Sequence, residues 1–135
     1  MSESDEALGV AERFIAALNN ADADAVRNIY SPDARIWHNF DETLQSVDDN
    51  IKTMLWIHGV LSDLHYDIQR REAIPGGFMQ QHVLRGTLAS GESFAMPACA
   101  ICEVRDGRIT ALEEYLDTAH TLPLRPQSDR QAPGA

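Results

Sequence analysis

Apolar positions recur at helical spacing over the first part of the chain and alternate with polar ones over most of the rest. Leu8, Ala11, Phe14, Ile15 and Leu18 fall on one helix face, with Ser2 or Ser4 as the cap and Asn19-Asn20 as the close. Asp22 caps a shorter helix carrying Ala25, Val26, Ile29 and Tyr30 on one face. Ser31-Pro32 ends it, because a residue before proline is pushed out of the helical region. Residues 34–39 read as a short β run. Ser46, with Asp49 three residues on, opens a third helix through Ile51, Met54, Leu55 and His58 that stops at Gly59.

From there the period is two. Leu64, Tyr66 and Ile68 alternate with His65, Asp67 and Gln69. Pro75-Gly76-Gly77 turns the chain into a strand over 78–88, and Ser90-Gly91 into one over 94–105. Asp106-Gly107, the strongest hairpin signal in the sequence, leads into a strand over 108–118. Pro97 inside a strand requires an edge position or a bulge. This order predicts an α+β domain over residues 1–121, with a loose tail over 122–135 that has little to bury. Its expected shape is a cone: three N-terminal helices packed on a strongly bent antiparallel sheet enclosing a pocket.

Composition narrows the partners. The chain has 135 residues, enough for one domain with a real core, and 44% of them are hydrophobic. Eleven basic residues against 21 acidic ones give a net charge of −10, the wrong sign for nucleic acid or an anionic membrane surface. No apolar run approaches the roughly 20 residues of a membrane span. The start, Met1-Ser2-Glu3-Ser4-Asp5-Glu6, is acidic where a signal peptide is basic, so a cytoplasmic location is the default expectation. Cys99 and Cys102 form a C-x-x-C, but within a strand pattern rather than at a helix start, which suits two small apolar fillers better than a redox pair. No phosphate-cradling loop, dinucleotide fingerprint or Ser/Cys nucleophile motif is present, and no cofactor is expected.

Residues 13–22, Arg-Phe-Ile-Ala-Ala-Leu-Asn-Asn-Ala-Asp, followed by Tyr30-Ser31-Pro32-Asp33-Ala34, resemble the opening of ketosteroid isomerases and their SnoaL-like polyketide cyclase relatives. The segment Asp106-Gly107-Arg108-Ile109, with Glu114-Tyr115-Leu116-Asp117 after it, is similar to the last hairpin of SnoaL-like proteins and limonene epoxide hydrolases. All belong to the nuclear transport factor 2-like superfamily of α+β cones. The resemblance spans about residues 5–118 and implies the fold. It does not imply one activity, because the superfamily holds isomerases, cyclases, dehydratases, epoxide hydrolases and non-catalytic modules. Phe14 stands where the isomerases carry an oxyanion-hole tyrosine, His38 where they carry the general-base aspartate, and Cys99 near their second aspartate. The Arg-x-Asp pair of the epoxide hydrolases matches Gln80-Gln81-His82, and only their last-strand aspartate is kept, as Asp117.

The expected function is therefore a cofactor-free enzyme of the SnoaL-like type. It would move protons on a small, mostly apolar carbonyl- or hydroxyl-bearing compound, in a cyclisation, isomerisation, dehydration or water addition. His38 shares the inward parity of Ile36, and Asp117 shares one parity with Glu113 and Tyr115; these two are expected to be acid and base in some order. His82 is the third catalytic candidate, and Gln80, Tyr115, Phe14, Trp56 and Cys99 are expected to line the pocket. Plainer readings stand beside these: an exposed Asp117 ending its strand, and structural hydrogen bonds for His38 and His82. A metal site from His38, His82 and Asp117 has suitable ligand types but none of the short spacing of zinc motifs. The alternatives are a non-catalytic small-molecule-binding domain and an interaction module. A homodimer through the open sheet face is expected, with Met79, Val83 and Ala98 taken as outward-facing.

Overall fold

A computed structural model describes residues 2–125. Helix α1 (Glu3–Asn19) starts at Ser2, whose hydroxyl accepts from Asp5 N–H while the Asp5 carboxylate accepts from Ser2 N–H, a reciprocal cap. Asp22 caps α2 (Ala23–Ile29) through Ala25 N–H. The strand β1 (Tyr30–His38) follows at once, so Tyr30 and Ser31-Pro32 belong to it rather than to the helix end. A strand with no sequence expectation, β2 (Asp41–Gln45), returns along β1 before α3 (Val47–Val60), which Ser46 caps through Asp49 N–H. The meander β3 (Ser62–Ile74), β4 (Gly77–Thr87), β5 (Ser93–Arg105) and β6 (Arg108–Leu116) completes the sheet.

The six strands lie in the order β2-β1-β6-β5-β4-β3. The sheet is mixed rather than purely antiparallel: β1 runs parallel to β6, because the chain crosses the sheet through α3 and the meander before β6 returns beside β1. The Pro97 expectation agrees with its place. Pairing of β5 with β6 begins at Ala98, so the flank of Pro97 on that side carries no partner.

Two single-residue bulges decide which side chains face the helices. On β3, Ile68 pairs with His82 but Arg70 with Gln81, so one extra residue, Gln69, sits between them. Inward positions therefore change from even (Tyr66, Ile68) to odd, and Arg71 pairs with inward-facing Gln80. On β6, Val104 pairs with Ile109 and Glu103 with Ala111, leaving Thr110 as the extra residue. Ile109 and Leu112 are both buried for that reason, and Glu114 follows the phase of Leu112.

The main core joins the inner face of α1 (Ala7, Val10, Ala11, Phe14, Ile15, Leu18) to Val26, Ile36, Ile51, Met54, Phe78, Cys102 and Ile109. A second cluster holds Leu61, Leu84, Phe94, Met96 and Leu124. Leu124 lies in a 3-10 segment, Thr118–Leu124, so packed chain continues beyond the boundary expected at 121. The rest of the expected tail, 126–135, lies outside the described residues. No helix of the described residues is long and apolar enough to cross a membrane.

Candidate functional site

Between α1, α3 and the concave sheet face lies a cavity of about 90 Å³, lined largely by Phe14, Ile15, Leu18, Met54, Phe78 and Met96. Its polar patch comes from the sheet. The parallel β1–β6 ladder sets His38 directly beside Glu114. His82 approaches from β4, on the far side of β5, whose inward residues at this level are Ala98 and Ala100. Strands two apart are separated by roughly 10 Å. Only small side chains on β5 leave room for His82 and Glu114 to meet above it.

They do meet. His38 Nε2 lies 3.1 Å from Glu114 Oε1, and His82 Nε2 lies 3.3 Å from Glu114 Oε2. The three side chains are 15%, 4% and 18% exposed for His38, His82 and Glu114, so the carboxylate is largely withdrawn from water. Burial alone pushes the Glu114 carboxyl up. The hydrogen bonds from His38 and His82, and the charge of either ring when protonated, outweigh it and hold the group at about 2. Glu114 is thus an anion at neutral pH.

Further polar groups surround this trio. His82 Nδ1 is 3.0 Å from Gln80 Nε2, and Gln80 Oε1 accepts from Arg71 Nε at 2.9 Å. The ring of Tyr66 stands edge-on to that of His82, with centroids 5.1 Å apart. The Tyr30 hydroxyl donates to Asn50 Oδ1, and Asn50 Nδ2 to Gln45 Oε1. Burial, then the Glu114 charge, pushes the Tyr66 phenol up; burial, then Cys102 and Glu114, does the same for Tyr30. Both stay protonated donors. The Tyr30 and Tyr115 hydroxyls find partners in Asn50 and Glu113, whereas that of Tyr66 has no protein partner among the described residues.

Four of the expected site residues line this cavity: His38, His82, Gln80 and Phe14. The other four do not. Asp117 is exposed and caps the 3-10 segment by accepting from Ala119 N–H at 2.9 Å. Tyr115 is 42% exposed on the outer sheet face, edge-on to Trp37. The Thr110 bulge turns Tyr115 outward by putting the even residues of late β6 inside, and Asp117 follows the end of that strand. Cys99 is out of phase with the inward row Phe94, Met96, Ala98, Ala100 and Cys102, and Cys102 lines the cavity instead. The same row corrects Ala98, which faces inward. Trp56, half exposed, lies away from the buried stripe Val47, Ile51 and Met54 of α3. Glu114 was the residue missed. Counting parity from Leu112 rather than from Asp117 would have found it.

Among the described residues, no group of three His, Cys, Asp or Glu side chains is arranged to hold a metal ion. His38 and His82 each direct Nε2 at a different oxygen of Glu114 rather than at a common point.

Similarity to known proteins agrees with this architecture. No curated protein matches the sequence. An LEH-like epoxide hydrolase from M. tuberculosis superposes with a TM-score of 0.74 at 22% identity, covering 88% of each chain. IdmH, a proposed polyketide cyclase from Streptomyces antibioticus, gives 0.76 at 21% identity, covering 87% of this chain and 96% of its own. A protein of ketosteroid isomerase-like fold from Catenulispora acidiphila, solved with trimethylamine, gives 0.72 at 15% identity, covering 84% and 88%. At such identities the likeness concerns the fold. The model of the SnoaL-like domain family matches residues 11–112, from the inner face of α1 to the strand that carries Glu114, and the chain belongs to that family.

Proposed function

We infer that the cavity is the active site of a proton-transfer enzyme acting on a small, largely apolar carbonyl- or hydroxyl-bearing compound without a cofactor. One observation carries this reading: an ionised carboxylate, Glu114, held between two imidazoles in an otherwise apolar cavity. A carboxylate at about 2 is too weak a base to take a proton from carbon or water at neutral pH. Its better use is to orient an imidazole and stabilise the imidazolium that forms. His38 is that imidazole. Its Nε2 faces Glu114, and its Nδ1 has no protein partner among the described residues. A substrate C–H or a water O–H delivers its proton to His38 Nδ1, while the Tyr66 hydroxyl donates to the oxygen where negative charge develops. His38 then returns the proton to the product. His82 holds the second oxygen of Glu114 in place. The cavity is well below the roughly 300–1,000 Å³ of drug-sized sites, which favours a substrate of few heavy atoms.

A non-catalytic binding role is the alternative. It is favoured by the fact that Glu114 already uses both oxygens on His38 and His82, so the cluster is satisfied without a ligand. The two readings separate by incubating the protein in D₂O with small cyclic ketones and, in parallel, with a small alicyclic epoxide in ordinary water. α-Deuteration or diol formation that disappears in Glu114→Gln and in His38→Gln supports catalysis. Rates equal in wild type and both variants across both panels would leave only the binding role.

A further inference from the structure

The geometry points to Arg71 as a positioning residue that fixes, through Gln80, which nitrogen of His82 carries the proton. Arginine can only donate, so Arg71 Nε at 2.9 Å compels the oxygen end of the Gln80 amide to face it. The NH₂ end then faces His82 Nδ1 at 3.0 Å. Because that end donates, Nδ1 must be the bare nitrogen and Nε2 the protonated one. The far end of the chain imposes the same answer, since Glu114 Oε2 can only accept and lies 3.3 Å from Nε2. Gln80 is 2% and His82 4% exposed, so a mismatched donor or acceptor there loses a hydrogen bond without recourse to bulk solvent. The opposite tautomer would set two N–H groups against each other at Gln80 and a lone pair against the Glu114 carboxylate.

Arg71 reaches this position only because the Gln69 bulge turns it to the inner face opposite Gln80. Glu12 on α1 lies near enough to favour its charge against the burial that opposes it. The consequence for the site rests on the catalytic reading above: with both nitrogens of His82 engaged, Nε2 by Glu114 and Nδ1 by Gln80, the Nδ1 of His38 is the imidazole nitrogen left to exchange protons. The tautomer itself does not depend on that reading.

Nitrogen-15 NMR of the imidazoles in the labelled full chain at neutral pH tests this without any substrate. Wild type should show His82 protonated on Nε2 alone, with the other tautomer below about a tenth. Arg71→Met frees the Gln80 amide to turn over and leaves Glu114 alone to oppose the second tautomer, so that form should rise well above its wild-type share, whereas Arg71→Lys, which keeps a donor, should restore the single form. Gln80→Glu replaces the donor facing Nδ1 by an acceptor and should place a proton on Nδ1. Should Arg71→Met not fold, Gln80→Glu decides. A His82 pattern identical to wild type in the folded Arg71→Met or Gln80→Glu protein overturns the proposal. A fixed tautomer in a protein inactive on every ketone and epoxide would instead remove the catalytic reading and leave this one standing.

Discussion

Glu114 gives the sharpest quantitative expectation. Its carboxyl falls from 4.5 to about 2 on folding, because the His38 and His82 hydrogen bonds outweigh the burial that opposes ionisation. At 1.36 kcal/mol per pH unit, a displacement of this size corresponds to about 3 kcal/mol of folding stability. The group is depressed in the folded state, so the unfolded chain takes up its proton first. The contribution is complete above 4.5 and is lost as pH falls from there to about 2. Glu114→Gln removes the titration and also leaves one imidazole N–H facing an amide NH₂. Urea unfolding of wild type and variant at matched pH isolates the effect, since every other carboxylate cancels in the difference. The wild-type advantage should be about 3 kcal/mol at neutral pH, roughly 10 °C in Tm for a domain of this size, and should shrink steadily toward about pH 2.5. A difference that stays level within about 0.5 kcal/mol from about pH 6 to about pH 2.5 would refute the argument.

Other expectations follow from separate parts of the molecule. Gly77→Ala would place a Cβ 1.8 Å from the Cys102 carbonyl oxygen, so β4 and β5 must separate there. The loss should be about 3 kcal/mol or more in urea unfolding, and an unchanged midpoint would contradict the close approach. Leu124→Ala, at a side chain buried in the cluster with Leu61, Leu84 and Phe94, should cost about 2–3 kcal/mol, and a neutral result would show that the 3-10 segment does not dock. A thiol reagent should modify only partly exposed Cys99 in the folded protein, because Cys102 is buried and burial pushes its thiol up; two fast equivalents would contradict this. The outer sheet face exposes Ile101 and Tyr115 beside Trp37, and light scattering should return twice 15.0 kDa, with a single 15.0 kDa species ruling the dimer out.

Most of the fold was legible because its signals are local. Ser2, Asp22 and Ser46 sit where caps are needed, and Asp106-Gly107 closes the last hairpin with both residues at positive φ. Strict alternation makes β4 readable too, and it puts Gln80 and His82 on one inward row with Phe78 and Leu84. The site was only half legible, because its key positions depend on breaks in alternation. A bulge has no fixed residue signature: Thr110 and Gln69 are ordinary strand residues whose extra length shows only once the partner strand is known. The parallel pairing that joins His38 to Glu114 likewise depends on strands distant in sequence, and so does the alanine gap on β5 beneath His82.

The Thr110 bulge also bears on how such a strand can change over generations. Glu113 and Glu114 are neighbours on opposite faces of β6, so either one supplies a carboxylate to the interior, depending on the count of residues behind it. Substitutions that smooth the bulge with every residue kept would pair Thr110 with Glu103, slide Glu113 inward opposite Ala100 and turn Glu114 to the outer surface, changing the site without altering the letter at any position that lines it. In a strand built this way, the changes that rewrite chemistry are those that shift its register, and counting matches column by column will overlook them.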